Sequence, residues 1–261
     1  MIKAVAIDLD GTLLNDKKEL SKKNIEGLKL AKNNGCEILI VTGRSYYSAK
    51  QAVEDLNMSL NIICYNGAKV VDENGQVIFE KPLEEKIVRE LIEISHNTKI
   101  HLNLYQNEIW YVENSNNFET DYYKKNSGLE PQEQNFGIFE NYNMTKALFI
   151  AENEVLKDLE KKLRDLLGEK VYMAYSDERY LEVLNSEVNK GLTLENILKT
   201  KNIDMSECIA FGDAGNDIEM LTNVGWGVAM ENASEKVKEK VKFFAKSNNE
   251  SGVGEYLKNL W

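Results

Sequence analysis

The sequence predicts a doubly wound α/β fold in which helices cover both faces of a parallel sheet, with an α+β domain inserted into the chain. Strand-like and helix-like segments alternate over residues 1–67 with short links. The strand-like segments are continuous apolar runs, as expected of parallel strands buried on both faces. The alternation resumes after Lys190, whereas residues 83–189 follow a different pattern. The sequence therefore predicts a core domain formed by two separate segments of the chain, with a second domain inserted between them.

The first core elements follow one another at regular intervals. Ser21 can cap a helix whose apolar face carries Ile25, Leu28 and Ala31, and Gly35 stands where such a helix ends. A hairpin turning at Asn74-Gly75 then breaks the alternation, and Pro82 marks the boundary. The other core elements predicted are strands at 4–7, 36–42, 61–67, 207–213 and 227–230, and helices at 45–56, at 191–201, after Asp217 and again after residue 230.

The predicted domains are a core of residues 1–82 and 190–261 and an inserted domain of residues 83–189. Within the insert, the Asn-rich stretch 114–143 is expected to be irregular. The other insert segments predicted are helices at 84–95 and 153–167 and strands within 100–112, 146–152 and 171–184.

Composition limits the partners of this chain. The 32 Lys and Arg against 43 Asp and Glu leave a net charge of −11, which repels phosphate backbones and excludes nucleic acid as an expected partner. No apolar run is long enough to span a membrane and no signal peptide is recognisable, so we expect a cytoplasmic protein that binds no membrane. The three cysteines lie far apart in apolar runs, which favours buried free thiols.

Acidic residues follow two of the predicted strands. Asp8 and Asp10 lie two residues apart and therefore project to the same side where the first strand stops, and Asp213 and Asp217 follow another strand. Open α/β sheets bind ligands at this edge, and Thr42 and Asn66 reach it as well. Crowded carboxylates cannot all stay ionised without a cation, and oxygen ligands suit Mg²⁺.

Plainer interpretations exist for each residue alone. Asp-Gly pairs are common in turns, so Gly11 and Gly43 fit either an ordinary turn or a close backbone approach to a ligand. Lys190 alone would be a surface charge, and Arg44 could equally meet an anionic group or pair on the surface. No EF-hand or P-loop pattern is present. Turn formation alone does not explain why acidic residues recur after two separate strands.

Six segments of the chain match the motifs of one family: "DLDGTLL" (8–14), "VTGR" (41–44), "YNGA" (65–68), "NKG" (189–191), "GDAGND" (212–217) and "GVAMENA" (227–233). Together they resemble the haloacid dehalogenase superfamily, and within it the Cof-type phosphatases with the larger inserted cap (subfamily IIB, C2-type cap). The resemblance covers essentially the whole chain and implies a Rossmann-like core with an α+β cap domain. Two positions depart from the family pattern: Glu231 stands where the family often has Gly, and "ESGV" (250–253) stands where an acidic residue before "GV" is usual.

The resemblance also implies a role for each matching residue. Asp8 would attack phosphorus and form an aspartyl-phosphate, and Asp10 would donate and then accept the proton. Lys190 would neutralise charge between Asp8 and the phosphoryl group. Mg²⁺ would be held by Asp8, Asp213, the carbonyl of Asp10 and Asp217 through water. The implied substrate or phosphate contacts are Gly11, Thr42, Gly43, Arg44, Asn66, Lys190 and Asn216, with Asn216 orienting Lys190 or the substrate.

The expected function is that of a Mg²⁺-dependent phosphatase acting on small phosphomonoesters, with sugar phosphates as the expected class. A phosphosugar mutase of the same fold and a non-catalytic sensor of a phosphorylated ligand are the alternatives. The expected partner is a small phosphate ester, and the expected assembly is a monomer or a weak homodimer.

Overall fold

A computed structural model describes residues 1–261, and the chain divides into two compact units. The first, called the core unit here, comprises Met1–Phe79 and Asn189–Trp261, and the second, called the insert unit, comprises Glu80–Val188. Lys81 pairs with Glu187 at 2.7 Å, and the carbonyl of Pro82 accepts from Asn185. These bonds account for the division lying after Phe79, before the predicted boundary at Pro82.

The chain contains fourteen strands and nine α-helices. The strands are β1 (Ala4–Ile7), β2 (Glu37–Val41), β3 (Asn61–Cys64), β4 (Lys69–Val71), β5 (Val77–Glu80), β6 (His101–Gln106), β7 (Ile109–Val112), β8 (Gln132–Glu133), β9 (Lys146–Ile150), β10 (Val171–Asp177), β11 (Tyr180–Asn185), β12 (Cys208–Gly212), β13 (Trp226–Met230) and β14 (Phe243–Ala245). The helices are α1 (Lys22–Asn33), α2 (Tyr46–Ala52), α3 (Glu85–Thr98), α4 (Phe118–Ser127), α5 (Asn153–Leu167), α6 (Lys190–Thr200), α7 (Ile218–Asn223), α8 (Glu235–Lys238) and α9 (Gly252–Lys258).

The core unit is built on an eight-stranded sheet in the order β14-β13-β12-β1-β2-β3-β4-β5. The strands from β14 to β3 are parallel, and β4 runs antiparallel to β3. Helices α6 and α7 supply Leu194, Leu198 and Met220 to the apolar core beneath one face. Helix α1 packs against α9, where Gly27 and Gly254 allow close backbone approach. The predicted doubly wound class is confirmed.

Several core elements differ from their predicted bounds. The third strand ends at Cys64, because Tyr65 and Asn66 take positive φ angles of 48° and 52° that no strand accommodates. Helix α2 ends at Ala52 and is followed by a 3₁₀ turn, so the predicted helix to Leu56 is broken. The edge strand β14 was expected to be helical. The Ser21 cap is confirmed, since its hydroxyl accepts from the N–H of Asn24.

The insert unit is an α+β sandwich, as predicted. Its sheet has the order β10-β11-β9-β6-β7-β8 and is antiparallel except between β7 and β8. Helices α3 and α5 cover one face, and the leucines of α5 repeat at helical spacing on the buried side. Those leucines are Leu156, Leu159, Leu163 and Leu167.

One expectation for the insert unit was wrong. The Asn-rich stretch is not irregular throughout, because helix α4 lies within it, capped by Asn117 at its start and by Gly128 with φ +70° at its end. Those two caps were visible in the sequence. All three cysteines are buried free thiols, as predicted. None of the helices combines the length and the apolar character required to span a membrane.

Candidate active site

The predicted site residues lie together at the carboxyl edge of the core sheet. Strand β1 is paired with β2 and β12, and Ile7, the last residue of β1, is in register with Ile40 and Phe211. Three strands therefore end at nearly the same level. The residues that follow them are brought to one place, which is the edge where open parallel sheets bind ligands. These residues are Asp8 and Asp10 after β1, Thr42 after β2, and Asp213 after β12.

Lys190 is the centre of this cluster. It is the first residue of α6, and its side chain is only 1% exposed. Its ammonium group donates to Oδ1 of Asp8 and to Oδ1 of Asp217, both at 2.6 Å. Burial alone would lower the pKa of Lys190, but the charges of Asp217 and Asp8 raise it well above its usual value. Lys190 is therefore a fixed cation between two buried carboxylates.

The remaining bonds of Asp217 hold it in place. Its Oδ2 accepts from the backbone N–H groups of Asp213 and Ala214, at 2.9 and 3.0 Å. Both oxygens of Asp217 are thus engaged within the protein. Asp213 is oriented separately, since Thr12 donates its hydroxyl to Oδ1 of Asp213 at 2.8 Å. Thr12 was not among the predicted site residues, although it follows Gly11 directly in the first motif.

Three of the acids form a candidate metal centre. Oxygens of Asp8, Asp213 and Asp217 lie within 4.8 Å of one another. Burial, followed by repulsion from Asp217, raises the pKa of Asp213 to about 7, and burial with repulsion from the neighbouring acids raises that of Asp8 well above its usual value. A bound cation would relieve this repulsion. The set consists of hard oxygen ligands, so the residues present fit Mg²⁺.

Asp10 lies beside this cluster in a different environment. Arg44 binds the carboxylate of Asp10 in a bidentate manner: Nε donates to Oδ2 and Nη2 donates to Oδ1, each at 2.6 Å. Lys18 adds a third donor to Oδ1 at 2.7 Å. Burial would raise the pKa of Asp10, but Arg44 first and Lys18 second lower it well below its usual range. The bonds of Arg44 and Lys18 to Asp10 were not predicted. Arg44 was expected to meet an anionic group of the substrate or to pair on the surface, and Lys18 was not singled out.

The two predicted asparagines contact each other. The amide of Asn216 donates to Oδ1 of Asn66 at 2.9 Å, and Oδ1 of Asn216 is buried without a partner. The structure places Asp8 and Asp217 on the ammonium group of Lys190, so these carboxylates orient Lys190, and an orienting contact of Asn216 with substrate stays a prediction. Asp217 can reach Lys190 because it directly precedes helix α7, which packs beside α6.

Two further predicted positions are buried at the same edge. Thr42 is 1% exposed, and its hydroxyl oxygen accepts from the N–H of Arg44 at 3.2 Å. Gly11 has φ +78°, and a Cβ there would stand 2.3 Å from Oδ2 of Asp213. A side chain at Gly11 would therefore displace the acid. A Cβ at Gly43 would lie 3.1 Å from the Asn66 side chain, so both glycines allow close approach.

This fold and site define a class of protein: a parallel α/β core with an inserted α+β unit and an acid cluster organised around a buried lysine. The haloacid dehalogenase-like hydrolase family matches residues 5–257. The chain belongs to this family, as the motifs predicted.

Known relatives agree with this assignment. A protein of Haemophilus influenzae, provisionally named a phosphatase, is 31% identical over 98% of this chain and 96% of its own. The 5-amino-6-(5-phospho-D-ribitylamino)uracil phosphatase of Bacillus subtilis is 28% identical over 99% of this chain and 95% of its own. A crystal structure of a haloacid dehalogenase-like hydrolase from Bacteroides thetaiotaomicron has a TM-score of 0.89 and 27% identity, with 100% of each chain covered. The predicted enzyme class, a phosphatase of haloacid dehalogenase type, is confirmed.

Proposed function

We propose that this protein is a Mg²⁺-dependent phosphatase that hydrolyses small phosphomonoesters through an aspartyl-phosphate on Asp8. The observation that carries the proposal is the buried Lys190 ammonium, held at 2.6 Å from both Asp8 and Asp217. A carboxylate can approach an anionic phosphoryl group only where its charge is offset. Lys190 supplies that offset at the proposed nucleophile.

In the first step, an oxygen of Asp8 attacks phosphorus and a new O–P bond forms while the ester P–O bond breaks. Lys190 binds Oδ1 of Asp8, so Oδ2 is the oxygen we assign to the attack. Thr42 accepts a hydrogen bond from Arg44 and so keeps its own proton to donate to a phosphoryl oxygen. Lys190 stabilises the charge that gathers between Asp8 and the phosphoryl group.

Asp10 handles the proton in both steps. It gives a proton to the leaving oxygen and later takes one from the water that attacks the phosphorus of the aspartyl-phosphate. The second step releases inorganic phosphate and restores Asp8. Arg44 holds the carboxylate form of Asp10 in the structure, which is the form that the second step needs. Before the first step Asp10 must take up a proton, which requires one of its two hydrogen bonds from Arg44 to break.

Asp8 and Asp213 are the side chains that would hold Mg²⁺ directly, with the carbonyl of Asp10. Asp217 is bonded on both oxygens, so it would contribute through water. When bound, the ion supplies positive charge that offsets the repulsion between carboxylate and phosphate. This arrangement matches the crowding of the three acids around one point.

We propose sugar phosphates and phosphorylated sugar alcohols as the substrate class. The Bacillus subtilis relative supports this, because its name describes a phosphatase of a phosphoribityl compound. Gly11, Gly43, Asn66 and Asn216 are proposed to border the phosphate and the ester oxygen, and the orphaned Oδ1 of Asn216 could accept from a substrate hydroxyl. Oligomeric state and cellular compartment stay predictions.

The test is phosphate release from a panel of small phosphomonoesters, with Mg²⁺ and with EDTA, for the native protein and for Asp8→Asn. We expect release that needs both Mg²⁺ and Asp8. An isomeric phosphate with little free phosphate would show a mutase, and binding without turnover would show a sensor. Either outcome would overturn the proposal.

A further inference from the structure

The carboxylate of Asp10 is held by two cations from different parts of the chain. Arg44 belongs to a matching family segment and engages both carboxylate oxygens. Lys18 belongs to none of the matching segments, yet its ammonium lies 2.7 Å from Oδ1 of Asp10. Two charged donors converge on Oδ1, whereas Oδ2 receives only Arg44. The family motifs therefore did not predict the contact of Lys18 with Asp10.

The loop that carries Lys18 is shaped to direct it back towards Asp10. Asn15 Oδ1 accepts from the N–H groups of Lys17 and Glu19, both at 2.9 Å. The N–H of Lys18 donates to the carbonyl of Asn15 at 2.8 Å. Lys18 itself takes φ +63°, a left-handed conformation that costs energy for a residue other than glycine. The tight loop over 15–19 therefore maintains a strained backbone at Lys18.

The same loop is tied to a distant segment of the core unit. The two carboxylate oxygens of Asp16 accept from the side-chain amides of Asn248 and Asn249, at 3.1 and 2.9 Å. The N–H of Asp16 donates to Oδ1 of Asn249 at 3.1 Å. Asn248 also donates to the carbonyl of Leu14. The hydrogen bonds of Asp16 hold the loop in place two residues before Lys18, and this fixes the backbone from which the Lys18 side chain reaches Asp10.

We propose that Lys18 is a positioning residue: together with Arg44 it holds Oδ1 of Asp10, so that Oδ2, which has a single bond, is the oxygen that is released, takes up the proton and passes it to the leaving oxygen. This inference rests on the proposed function. Arg44 binds both carboxylate oxygens and so restrains rotation of the carboxylate, and Lys18 adds a further bond to Oδ1. Lys18 acts through Asp10 and does not itself touch the reacting atoms.

An ordinary surface ion pair would contribute almost nothing to catalysis, since such pairs are weak and Lys18 is 48% exposed. The two roles differ in how they respond to the leaving group. Phenolate needs a proton to leave from phenyl phosphate, whereas 2,4-dinitrophenolate leaves as the anion. If Asp10 is misplaced, hydrolysis of phenyl phosphate should therefore slow down, whereas hydrolysis of 2,4-dinitrophenyl phosphate should not.

The experiment measures kcat/KM with Mg²⁺ for phenyl phosphate and 2,4-dinitrophenyl phosphate in the native protein, Lys18→Met and Lys18→Arg. In Lys18→Met we expect a loss of about tenfold with phenyl phosphate, a part of the roughly 10²–10⁴-fold that general acid catalysis supplies, and less than about twofold with 2,4-dinitrophenyl phosphate. Lys18→Arg should restore most of the loss.

Lys17→Met is the matched control, because Lys17 is the exposed neighbour and forms no ion pair. It should leave both substrates unchanged. Equal losses of Lys18→Met on both substrates, or no loss on either, would overturn the positioning role. Failure of the proposed function itself shows separately, as the absence of Mg²⁺-dependent hydrolysis by the native protein.

Discussion

The core unit and the insert unit each bury a lysine against carboxylates, and the two sites differ in character. In the core unit, Lys190 contacts Asp8 and Asp217 at 2.6 Å beside a third acid, Asp213. In the insert unit, Lys146 pairs with Glu182 at 3.3 Å and lies over the ring of Tyr105. The first lysine faces an excess of negative charge, whereas the second pairs with Glu182 in the sheet.

This difference separates a site arranged for chemistry from a buried pair that fits a structural role. Excess acid at the end of parallel strands is costly unless a cation offsets the negative charge. The Glu182 carboxylate also accepts a hydrogen bond from the hydroxyl of Ser176 at 2.7 Å. Burial of a lysine alone therefore does not identify a catalytic site, and the number of acids around it is the more useful sign.

The largest contrast is expected from removing each lysine. Lys190→Met leaves two buried carboxylates facing each other, so we expect a loss of about 3–5 kcal/mol in unfolding free energy at neutral pH. Phosphatase activity should fall by about 10³-fold, the upper range for the loss of one charge-stabilising group. Calorimetry and phosphate release measure the two effects.

Lys146→Met is the matched variant in the insert unit. It should also destabilise the protein, because Glu182 loses its buried partner. Its kcat with p-nitrophenyl phosphate should stay close to that of the native protein. A loss of activity in Lys146→Met as deep as that in Lys190→Met would break the distinction between the two lysines.

The acid excess should also make the metal-free protein sensitive to pH. The pKa of Asp213 is raised to about 7 in the folded chain, so its contribution to stability is fully present below the unfolded value of about 4 and is lost as pH rises through about 7. Over this range the unfolding free energy in EDTA should fall by up to about 4 kcal/mol.

Thermal unfolding across this range checks the prediction, with Asp213→Asn as the control. The variant cannot ionise at this position, so its stability should depend less on pH. Mg²⁺ should raise the native midpoint more at about pH 7.5 than at about pH 5. An equal Mg²⁺ effect at both pH values would contradict the assignment of the acids as ligands.

A pair of glycines sharpens the comparison at smaller scale. Gly11 in the core unit and Gly128 in the insert unit have φ +78° and +70°, so an alanine should cost about 1–2 kcal/mol at either position. Only at Gly11 would the new Cβ meet Asp213, since nothing lies within 4 Å of a Cβ at Gly128. Gly11→Ala should therefore lose at least about tenfold in kcat/KM through misplacement of Asp213.

Gly128→Ala should retain native kcat/KM despite a comparable loss of stability. Measuring both quantities for both variants separates backbone strain from damage to the acid cluster. Full activity in Gly11→Ala would show that Asp213 can move without consequence, and the proposed metal centre would have to be revised.

The smallest effect is expected inside the insert unit. The indole Nε1 of Trp110 is buried without a hydrogen-bond partner, and the ring packs edge-on against Tyr123 with centroids 4.8 Å apart. Trp110→Phe removes the unsatisfied donor and keeps an aromatic ring, so stability should change by less than about 1 kcal/mol. Denaturant unfolding measures this change. A large loss would mean that the indole fills space that the smaller ring leaves empty.

Much of the core site could be predicted from the sequence. Asp8, Asp213 and Thr42 directly follow strands whose apolar runs are easy to recognise, and parallel strands bring their ends to one edge. The Ser21 cap and the helix over 153–167 were equally clear, because capping and helical periodicity are local signals.

The remaining features depend on contacts distant in sequence. The pairing of Arg44 with Asp10, and the anchoring of Asp16 by Asn248 and Asn249, require the folded chain. Strand β14 is only three residues long and lies at a sheet edge, where its apolar pair Phe243 and Phe244 is partly exposed. Helix α4 buries only Thr120, so it has almost no apolar face to reveal it.

The most direct measurement is to trap the intermediate. The native protein and Asp10→Asn would be mixed with Mg²⁺ and 2,4-dinitrophenyl phosphate, quenched in acid within milliseconds, and analysed by peptide mass spectrometry. We expect one phosphoryl group on the peptide that contains Asp8, more abundant in Asp10→Asn because the attacking water then lacks its base. Steady phosphate release by the native protein with no phosphorylated peptide in either protein would contradict a covalent mechanism through Asp8.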